Sequence, residues 1–251
     1  MQPHAGPLDA DAAMVEAITA VTDSEDVDLL VLPELATTRY DLQRHLLDVA
    51  PQPHDPRMAR LREAAARART VVVLGLAERD DASSPALHNS ALIIEADGSI
   101  AGLVRKVHLF GGETRVFAPG STLAPVPTSV GSLGVMVCFD IEFPEVGRSL
   151  ALSGADLLVV ISANMHPYAN YHVTYAKARA MENNLPLAVA NWVGEGPRFT
   201  FIGRSCIITA FGEISADAGE QIGVATATVT TGRNLVDTDL DYLSQRRPEV
   251  Y

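Results

Sequence analysis

Short apolar runs alternate with amphipathic segments along most of this 251-residue chain. Aliphatic and β-branched runs predict buried strands at residues 28–32, 70–76, 123–127, 133–137, 156–161 and 187–191. Apolar residues at helical spacing predict helices at residues 9–21, 41–49, 57–69, 144–153 and 172–183. The alternation predicts a mixed α/β domain with a parallel part.

Two predicted hairpins interrupt this alternation. Ala96-Asp97-Gly98 joins strands at residues 88–95 and 99–104, and Phe211-Gly212 joins strands at residues 202–209 and 213–216. A late strand is predicted at residues 224–230. The pattern leaves open whether there is one sheet or two. No composition shift or linker divides the chain, so we expect a single domain over residues 1–251.

Composition narrows the possible partners and compartment. The formal net charge of −12 argues against binding to phosphate backbones, so we expect no nucleic-acid partner. No run is long and apolar enough to cross a bilayer, and no leader-like segment begins the chain. The two cysteines form no disulfide framework and suit a reducing compartment. We therefore expect a soluble, cytoplasmic protein with no membrane partner.

Three chemically reactive side chains stand where apolar, strand-like runs give way to loops: Glu34, Lys106 and Cys138. Side chains at the ends of core strands can meet in one pocket. A carboxylate, an ammonium and a thiol supply a general base, an oxyanion stabiliser and a nucleophile. Together they predict attack on an amide carbon that needs neither a metal nor a cofactor.

Each of these residues also has a simpler interpretation. Glu34 alone could be a solvated loop acid, Lys106 a surface cation and Cys138 an inert core thiol. If Cys138 lies on a strand-to-helix turn, helix-terminal N–H groups favour its thiolate, and Lys106 could lower its pKa further. Burial at a strand end would raise the pKa of Glu34 towards the range useful for proton transfer. Cys206 lies inside an apolar strand, which indicates packing.

A papain-like Cys–His pair is an alternative, with His108 or His166 as the partner of Cys138. Other catalytic patterns are missing from the sequence: it has no HExxH, CxxC, P-loop or GxSxG motif. The seven histidines lack the short spacing of a metal site.

Over nearly its whole length, the chain resembles the nitrilase superfamily of carbon–nitrogen hydrolases. Three ordered segments are similar to the family's glutamate, lysine and cysteine motifs: residues 31–35 (VLPEL), residues 105–111 (RKVHLFG) with 117–120 (FAPG), and residues 134–145 (GVMVCFDIEFPE). Residues 177–183 (KARAMEN) and 190–194 (ANWVG) also resemble family segments.

The resemblance implies an α-β-β-α sandwich of two sheets and a homodimer or higher homo-oligomer, paired through helices near the cysteine and late in the chain. It implies that Cys138 is the nucleophile and that Glu34 is the base that later protonates leaving ammonia. Lys106 and the backbone N–H of Phe139 would stabilise the oxyanion. Glu113 would position the substrate and the lysine.

Finer details resemble the short aliphatic amidases, including those acting on 5-aminopentanamide. The resemblance places Phe139, Glu142, Asn164 and Met165 at the substrate. Relatives that bind carboxylates often have arginine where this chain has Glu142, so we expect a neutral or amine-bearing aliphatic amide. Equally, Glu142 could only support the fold.

Other functions remain open at this point. A nitrilase or an N-carbamoyl amine hydrolase would use the same Glu-Lys-Cys site, whereas a non-catalytic binding protein of this fold would be expected to lose one of the three residues.

One departure from the family pattern concerns the start of the chain. Family members usually begin with a strand that ends near a glutamine, and here Met1-Gln2 stands where that strand should finish. We therefore expect the first strand to be missing and the edge of its neighbour to be exposed.

Overall fold

The computed structural model describes residues 10–38, 40, 46, 50–52, 54–81, 86–196, 198–233 and 238–250. The helices in these ranges are α1 (Ala10–Ser24), α2 (Ala59–Ala68), α3 (Pro144–Leu152) and α4 (Ala169–Asn183). The strands are β1 (Leu29–Val31), β2 (Val71–Arg79), β3 (Leu87–Ile94), β4 (Ile100–Arg105), β5 (Val126–Thr128), β6 (Gly131–Val137), β7 (Leu157–Ser162), β8 (Leu187–Asn191), β9 (Val193–Glu195), β10 (Thr200–Ile202), β11 (Cys206–Ile208) and β12 (Ile214–Asp217).

The strands form two large sheets and one small one. The first large sheet has the order β1-β2-β3-β4, with β1 and β2 parallel and the remaining pairs antiparallel. The second has the order β12-β11-β8-β7-β6-β5, with β6, β7 and β8 parallel at its centre. Strands β9 and β10 pair with each other as a two-stranded antiparallel sheet, and Phe201 of β10 also bridges to Met165.

The two large sheets pack face to face through aliphatic side chains. Val73 and Ile93 from the first sheet belong to one buried cluster with Val135 and Val159 from the second. Valine and isoleucine suit this position because branched side chains pack well on a pleated surface. This dry layer fixes the two sheets relative to each other, and with them the strand ends that carry the reactive side chains.

Helices cover the outer face of each large sheet. On one side, Ile18 of α1 packs in a cluster with Leu74 of β2, and on the other Leu150 of α3 packs with Val160 of β7. Covering on both faces explains why the central strands are continuous apolar runs rather than alternating ones. The predicted α-β-β-α sandwich is confirmed.

Most of the predicted elements match the structure to within a few residues. The helix predicted over residues 41–49 lies outside the described residues, apart from position 46. The late strand predicted at residues 224–230 is wrong: half-buried and exposed residues alternate there, but they belong to no strand. Alternation shows which side of an extended segment is covered, whereas a strand also needs a hydrogen-bonded neighbour. Strands β9 and β10 are too short to give a periodic signal.

Strand β1 forms one edge of the first sheet. The side of β1 that faces away from β2 pairs with no strand in the described part of the chain. A cavity of about 990 Å³ lies beside it, lined by residues of α1, β1, β8 and the segment 221–229. None of the predicted catalytic residues lines this cavity, so we assign it no catalytic role. The missing first strand stays a prediction. Within the described ranges, no helix combines the length and apolar character needed to cross a bilayer.

Candidate active site

Lys106 is clamped between two carboxylates. Its Nζ atom lies 2.7 Å from Glu34 Oε1 and 2.9 Å from Glu113 Oε1. All three side chains are fully buried. Because they come from the end of β1, the end of β4 and the loop after β4, the sandwich brings together residues up to 79 positions apart, from 34 to 113. Buried charges persist only when they are paired and hydrogen-bonded, as here.

Two further side chains extend this cluster. Asn89 of β3 donates through Nδ2 to Glu34 Oε1 at 2.7 Å and to Glu113 Oε1 at 3.3 Å. Tyr40 donates its hydroxyl to Glu113 Oε1 at 2.8 Å. The other oxygen of Glu113 accepts the backbone N–H of Phe110 at 2.7 Å. By contrast, Glu34 Oε2 is buried and has no hydrogen-bond partner among the described residues.

The backbone holds Glu34 in place from several directions. Its carbonyl accepts the indole N–H of Trp192 at 2.7 Å, and its N–H donates to the carbonyl of Ser162 at 3.4 Å. Leu35, the next residue, has a φ of 50°, in the left-handed region. The carboxylate is therefore positioned by contacts to both sheets rather than by a free loop.

Cys138 stands at a sharp turn between β6 and a short 3₁₀ helix, Cys138–Glu142. Its φ of 47° is unusual for a residue with a side chain, and such strain clusters at functional sites. The sulfur accepts a hydrogen bond from Ser162 Oγ at 3.6 Å. The end of β7 therefore packs directly against the sulfur.

The electrostatics correct one expectation about Cys138. Burial raises the pKa of this thiol above its ordinary value and nearby Glu34 raises it further, whereas Lys106 opposes the rise only in part. The net direction of the shift is therefore opposite to the one expected from helix-terminal N–H groups and Lys106, because desolvation outweighs the nearby donors and the cation. A protonated thiol needs a base before it can attack.

The same environment prepares Glu34 as a base and keeps Lys106 charged. Burial raises the pKa of Glu34, as the sequence predicted, although Lys106 and Asn89 oppose the rise. Burial alone would lower the pKa of Lys106, but Glu34 and Glu113 raise it above its ordinary value. The cluster thus contains a stable ammonium beside a carboxylate with increased proton affinity.

Asp140 ties the lysine segment to the cysteine turn. Its buried carboxylate accepts the backbone N–H groups of Val107 at 3.4 Å, His108 at 2.8 Å and Val137 at 3.1 Å. These residues directly follow Lys106 or directly precede Cys138. The sequence analysis did not single out Asp140, although its position two residues after Cys138 was a signal.

The structure gives the Cys–His alternative no support. His108 Nδ1 lies 2.9 Å from Asp140 Oδ1, and the ring stacks on Phe143 with centroids 3.7 Å apart. His166 is exposed. In the part of the chain that the structure describes, neither histidine hydrogen-bonds to Cys138.

The four predicted substrate residues have different environments, and two of them, Phe139 and Glu142, belong to the short 3₁₀ helix that begins at Cys138. Phe139 makes edge contacts with Phe110 and Phe143, at 5.3 and 5.1 Å between centroids. Glu142 is partly buried, which raises the pKa of its carboxyl group, and it forms no ion pair with a described residue.

Asn164 and Met165 lie just beyond the end of β7 and are buried. Asn164 Oδ1 has no hydrogen-bond partner within the described ranges, and Met165 bridges to Phe201. None of the four side chains hydrogen-bonds to Cys138 in the structure, so their role at the substrate stays a prediction.

Sequence reasoning missed Asn89, Tyr40, Ser162 and Trp192. A signal existed for Asn89, because an amide inside an otherwise buried strand needs a partner. Trp192 belongs to the family-like segment 190–194, but nothing local indicated the partners of Tyr40 and Trp192, which lie 73 and 158 positions away along the chain. No cluster of three or more His, Cys, Asp or Glu side chains among the described residues could hold a metal ion.

Comparisons with known proteins identify the family of this chain. The family model for carbon-nitrogen hydrolases matches residues 7–233. A probable nitrilase of Schizosaccharomyces pombe is 36% identical over 89% of this chain and 84% of its own, and an (R)-stereoselective amidase of Pseudomonas sp. is 34% identical over 90% of this chain and 78% of its own.

Two solved structures are similar in fold as well. The carbon-nitrogen hydrolase of Helicobacter pylori G27 matches with a TM-score of 0.86 and 28% identity, over 98% of this chain and 92% of that one. An amidase from Nesterenkonia sp. matches with a TM-score of 0.84 and 26% identity, over 100% of this chain and 92% of that one. The chain belongs to the carbon–nitrogen hydrolase family, the nitrilase superfamily.

Proposed function

We propose that this carbon–nitrogen hydrolase is an amidase that converts a small aliphatic amide to a carboxylic acid and ammonia through a thioester on Cys138. The observation that carries the proposal is that the two carboxylate oxygens of Glu34 have different partners. One carboxylate oxygen is occupied by Lys106 and Asn89, and the other is buried without a described partner. A carboxylate held in this way can accept one proton in a fixed direction.

The first half of the reaction forms the thioester. Glu34 Oε2 takes the proton from Cys138 as the sulfur attacks the amide carbon. The carbonyl oxygen becomes an oxyanion, which Lys106 Nζ and the backbone N–H of Phe139 stabilise. When the tetrahedral intermediate collapses, the carbon–nitrogen bond breaks and protonated Glu34 gives its proton to the leaving nitrogen, which departs as ammonia.

The second half hydrolyses the thioester. Glu34, ionised again, takes a proton from water as the water oxygen attacks the thioester carbon. The carbon–sulfur bond then breaks, the sulfur regains a proton from Glu34, and the acid leaves. Glu113 holds Lys106 throughout, at 2.9 Å, and keeps its charge directed at the reacting oxygen. No group outside this cluster is needed to balance either half.

A relative supports the covalent step. A glutamate-to-glutamine mutant of the amidase from Nesterenkonia sp. AN1 shows covalent addition of the acetamide moiety of fluoroacetamide at its active-site cysteine. That structure matches this chain with a TM-score of 0.84 and 28% identity. We infer that Cys138 is the corresponding nucleophile here.

The substrate class follows from Glu142. Its half-buried carboxylate has no described ion-pair partner, whereas arginine at this position would favour acidic substrates. We propose a neutral or amine-bearing acyl chain. With 5-aminopentanamide, Glu142→Gln should raise KM several-fold, and with uncharged pentanamide it should change KM little. A preference of the wild type for an ω-amidodicarboxylate would overturn this assignment.

The alternatives use the same residues on other carbon–nitrogen bonds. Relatives include a protein named nitrilase from Pyrococcus abyssi, 32% identical, and an N-carbamoylputrescine amidase from Arabidopsis thaliana, 28% identical. A nitrile substrate would consume two waters per ammonia released, and a carbamoyl substrate would also release carbon dioxide. Product analysis therefore separates the three reactions.

We also propose that the protein acts in the cytoplasm as a homo-oligomer. Both cysteines are free thiols. Leu152 of α3 and Met181 of α4 expose about half of their surface, as does Phe211 near α4. Apolar side chains grouped on one pair of helices are typical of a protein interface. Light scattering after size exclusion tests this, and a monomer at micromolar concentration would contradict it.

A panel of amides with ammonia detection is the experiment that tests the function. We expect turnover of short aliphatic amides by the wild type and no turnover by Cys138→Ala. A Cys206→Ala variant is the matched control, because Cys206 lies in the β11 core away from the cluster. Absence of ammonia from every amide, with release from a nitrile or a carbamoyl compound, would replace the proposal by one of its alternatives.

A further inference from the structure

Asn89 lies between the two buried carboxylates of the site. Its Nδ2 atom is 2.7 Å from Glu34 Oε1 and 3.3 Å from Glu113 Oε1. Lys106 Nζ donates to the same two oxygens, at 2.7 and 2.9 Å. One charged donor and one neutral donor therefore hold both carboxylates through the same pair of atoms.

The charges explain why a neutral donor is suited to this place. If both carboxylates are ionised, one ammonium leaves one uncompensated negative charge in this fully buried cluster. A second cation would cancel that charge and remove the basicity that Glu34 needs, whereas an apolar side chain would leave the carboxylates repelling each other. A neutral amide donates to both carboxylates and leaves the total charge of the cluster unchanged.

The two carboxylate oxygens of Glu34 also differ in their hydrogen-bond partners. Oε1 accepts from both Asn89 and Lys106, and Oε2 has no partner within the described part of the chain. We propose that Asn89 is a positioning residue that fixes the Glu34 carboxylate through Oε1 and so makes Oε2 the oxygen that receives the Cys138 proton. This inference rests on the proposed function, because it assigns a direction to that proton transfer.

A purely structural role for Asn89 makes a different prediction from a positioning role. Loss of a structural contact would lower stability and scale activity by the same factor at every pH. Loss of a donor to the base would also move the pH at which the base ionises, since the hydrogen bond from Asn89 opposes the rise in the pKa of Glu34. A pH profile distinguishes the two roles.

The readout is alkylation of Cys138 by iodoacetamide, followed by mass spectrometry of the Cys138 peptide between pH 4.5 and 9. This rate reports the base without needing a substrate. In Asn89→Leu we expect the acidic midpoint of the rate to rise by about one to two pH units, the size expected for a lost hydrogen bond to a charged group. Asn183→Leu is the control, because Asn183 is a buried amide of α4 whose Nδ2 donates to the Arg179 carbonyl.

Each outcome decides the matter. A folded Asn89→Leu with an unchanged midpoint overturns the proposal, as does a Glu34→Gln variant alkylated as fast as the wild type. If Asn89→Leu does not fold, Asn89→Asp keeps the side-chain shape and must also raise the midpoint, because it removes the donor and adds a negative charge. If the wild type hydrolyses no amide, the proposed function fails, while the alkylation midpoint still tests Asn89.

Discussion

The chain at Glu34 crosses directly over Gly75 of β2. A Cβ atom at position 75 would lie 2.6 Å from Glu34 Cα and 2.3 Å from the backbone nitrogen of Leu35. The two segments are also hydrogen-bonded, from the Gly75 N–H to the Pro33 carbonyl at 3.1 Å. Only a residue without a side chain allows this approach, so the position of the base depends on a glycine in a neighbouring strand.

Gly75→Ala should therefore displace Glu34 although it replaces none of the reactive side chains. We expect a loss of about 1–3 kcal/mol in the free energy of unfolding from overpacking. We expect kcat to fall by about 10²-fold because the carboxylate is displaced. Urea unfolding and ammonia release measure the two effects. Gly223→Ala is the matched control, because a Cβ there meets nothing closer than 3.5 Å. Unchanged activity in Gly75→Ala would mean that the position of Glu34 is not critical.

Lys106 and His108 distinguish the amidase from a Cys–His enzyme. Lys106→Ala should lower kcat by about 10²–10³, the loss seen when one oxyanion donor is removed. It should also destabilise the fold, because two buried carboxylates lose their shared cation. His108→Ala should keep most of the activity, since the Asp140 bond to the backbone N–H of residue 108 remains. The opposite ranking of the two variants would favour the Cys–His mechanism.

The pH dependence of kcat/KM should follow Glu34. Burial raises the pKa of this carboxyl above its ordinary value of 4.5, and the ionised form is the base. Activity should therefore be lost as the pH falls through the raised value, and the acidic limb should lie above pH 4.5. Glu34→Gln should lose about 10²–10⁴ in kcat and show no such limb. A wild-type acidic limb at or below the ordinary value would contradict a buried base.

His172 of α4 should make the protein sensitive to acid independently of the active site. Burial lowers the pKa of this histidine from 6.5 to about 4. A hydrogen bond with the backbone of Arg204 opposes this shift only in part. In the unfolded chain, His172 is therefore protonated below about pH 6.5, whereas in the folded chain it becomes protonated only below about pH 4. Stability should fall across this window by up to ~3 kcal/mol. His172→Gln should flatten urea-unfolding stability between pH 7 and 4.5, and an equal slope in both proteins would exclude this cause.

The reactive residues could be predicted from the sequence better than the residues that hydrogen-bond to them and position them. Glu34, Lys106 and Cys138 each follow an apolar run, and strand ends of a packed sandwich meet at one edge, so their convergence could be predicted. Glu113 came from a resemblance alone. The local sequence showed that Asn89 needs a partner but not which one, because Asn89, Tyr40 and Trp192 all act through contacts between distant parts of the chain.

Two errors have the same origin. The direction of the pKa shift of Cys138 was expected from its neighbours in sequence, whereas burial by the whole sandwich raises that pKa. The strand at residues 224–230 was predicted from the local sequence, whereas a strand also requires a paired neighbour. Propensity and spacing report the local chain, and both quantities depend on tertiary surroundings.

The central claim is that an acyl group is held on Cys138 between two chemical steps. Partitioning with hydroxylamine tests it most directly, using pentanamide and methyl pentanoate, which share one acyl group. If both pass through the same thioester, the ratio of pentanohydroxamate to pentanoic acid must be identical for the two substrates, and Cys138→Ala must form neither product. A ratio that changes with the leaving group, or products formed without the Cys138 sulfur, would contradict the account.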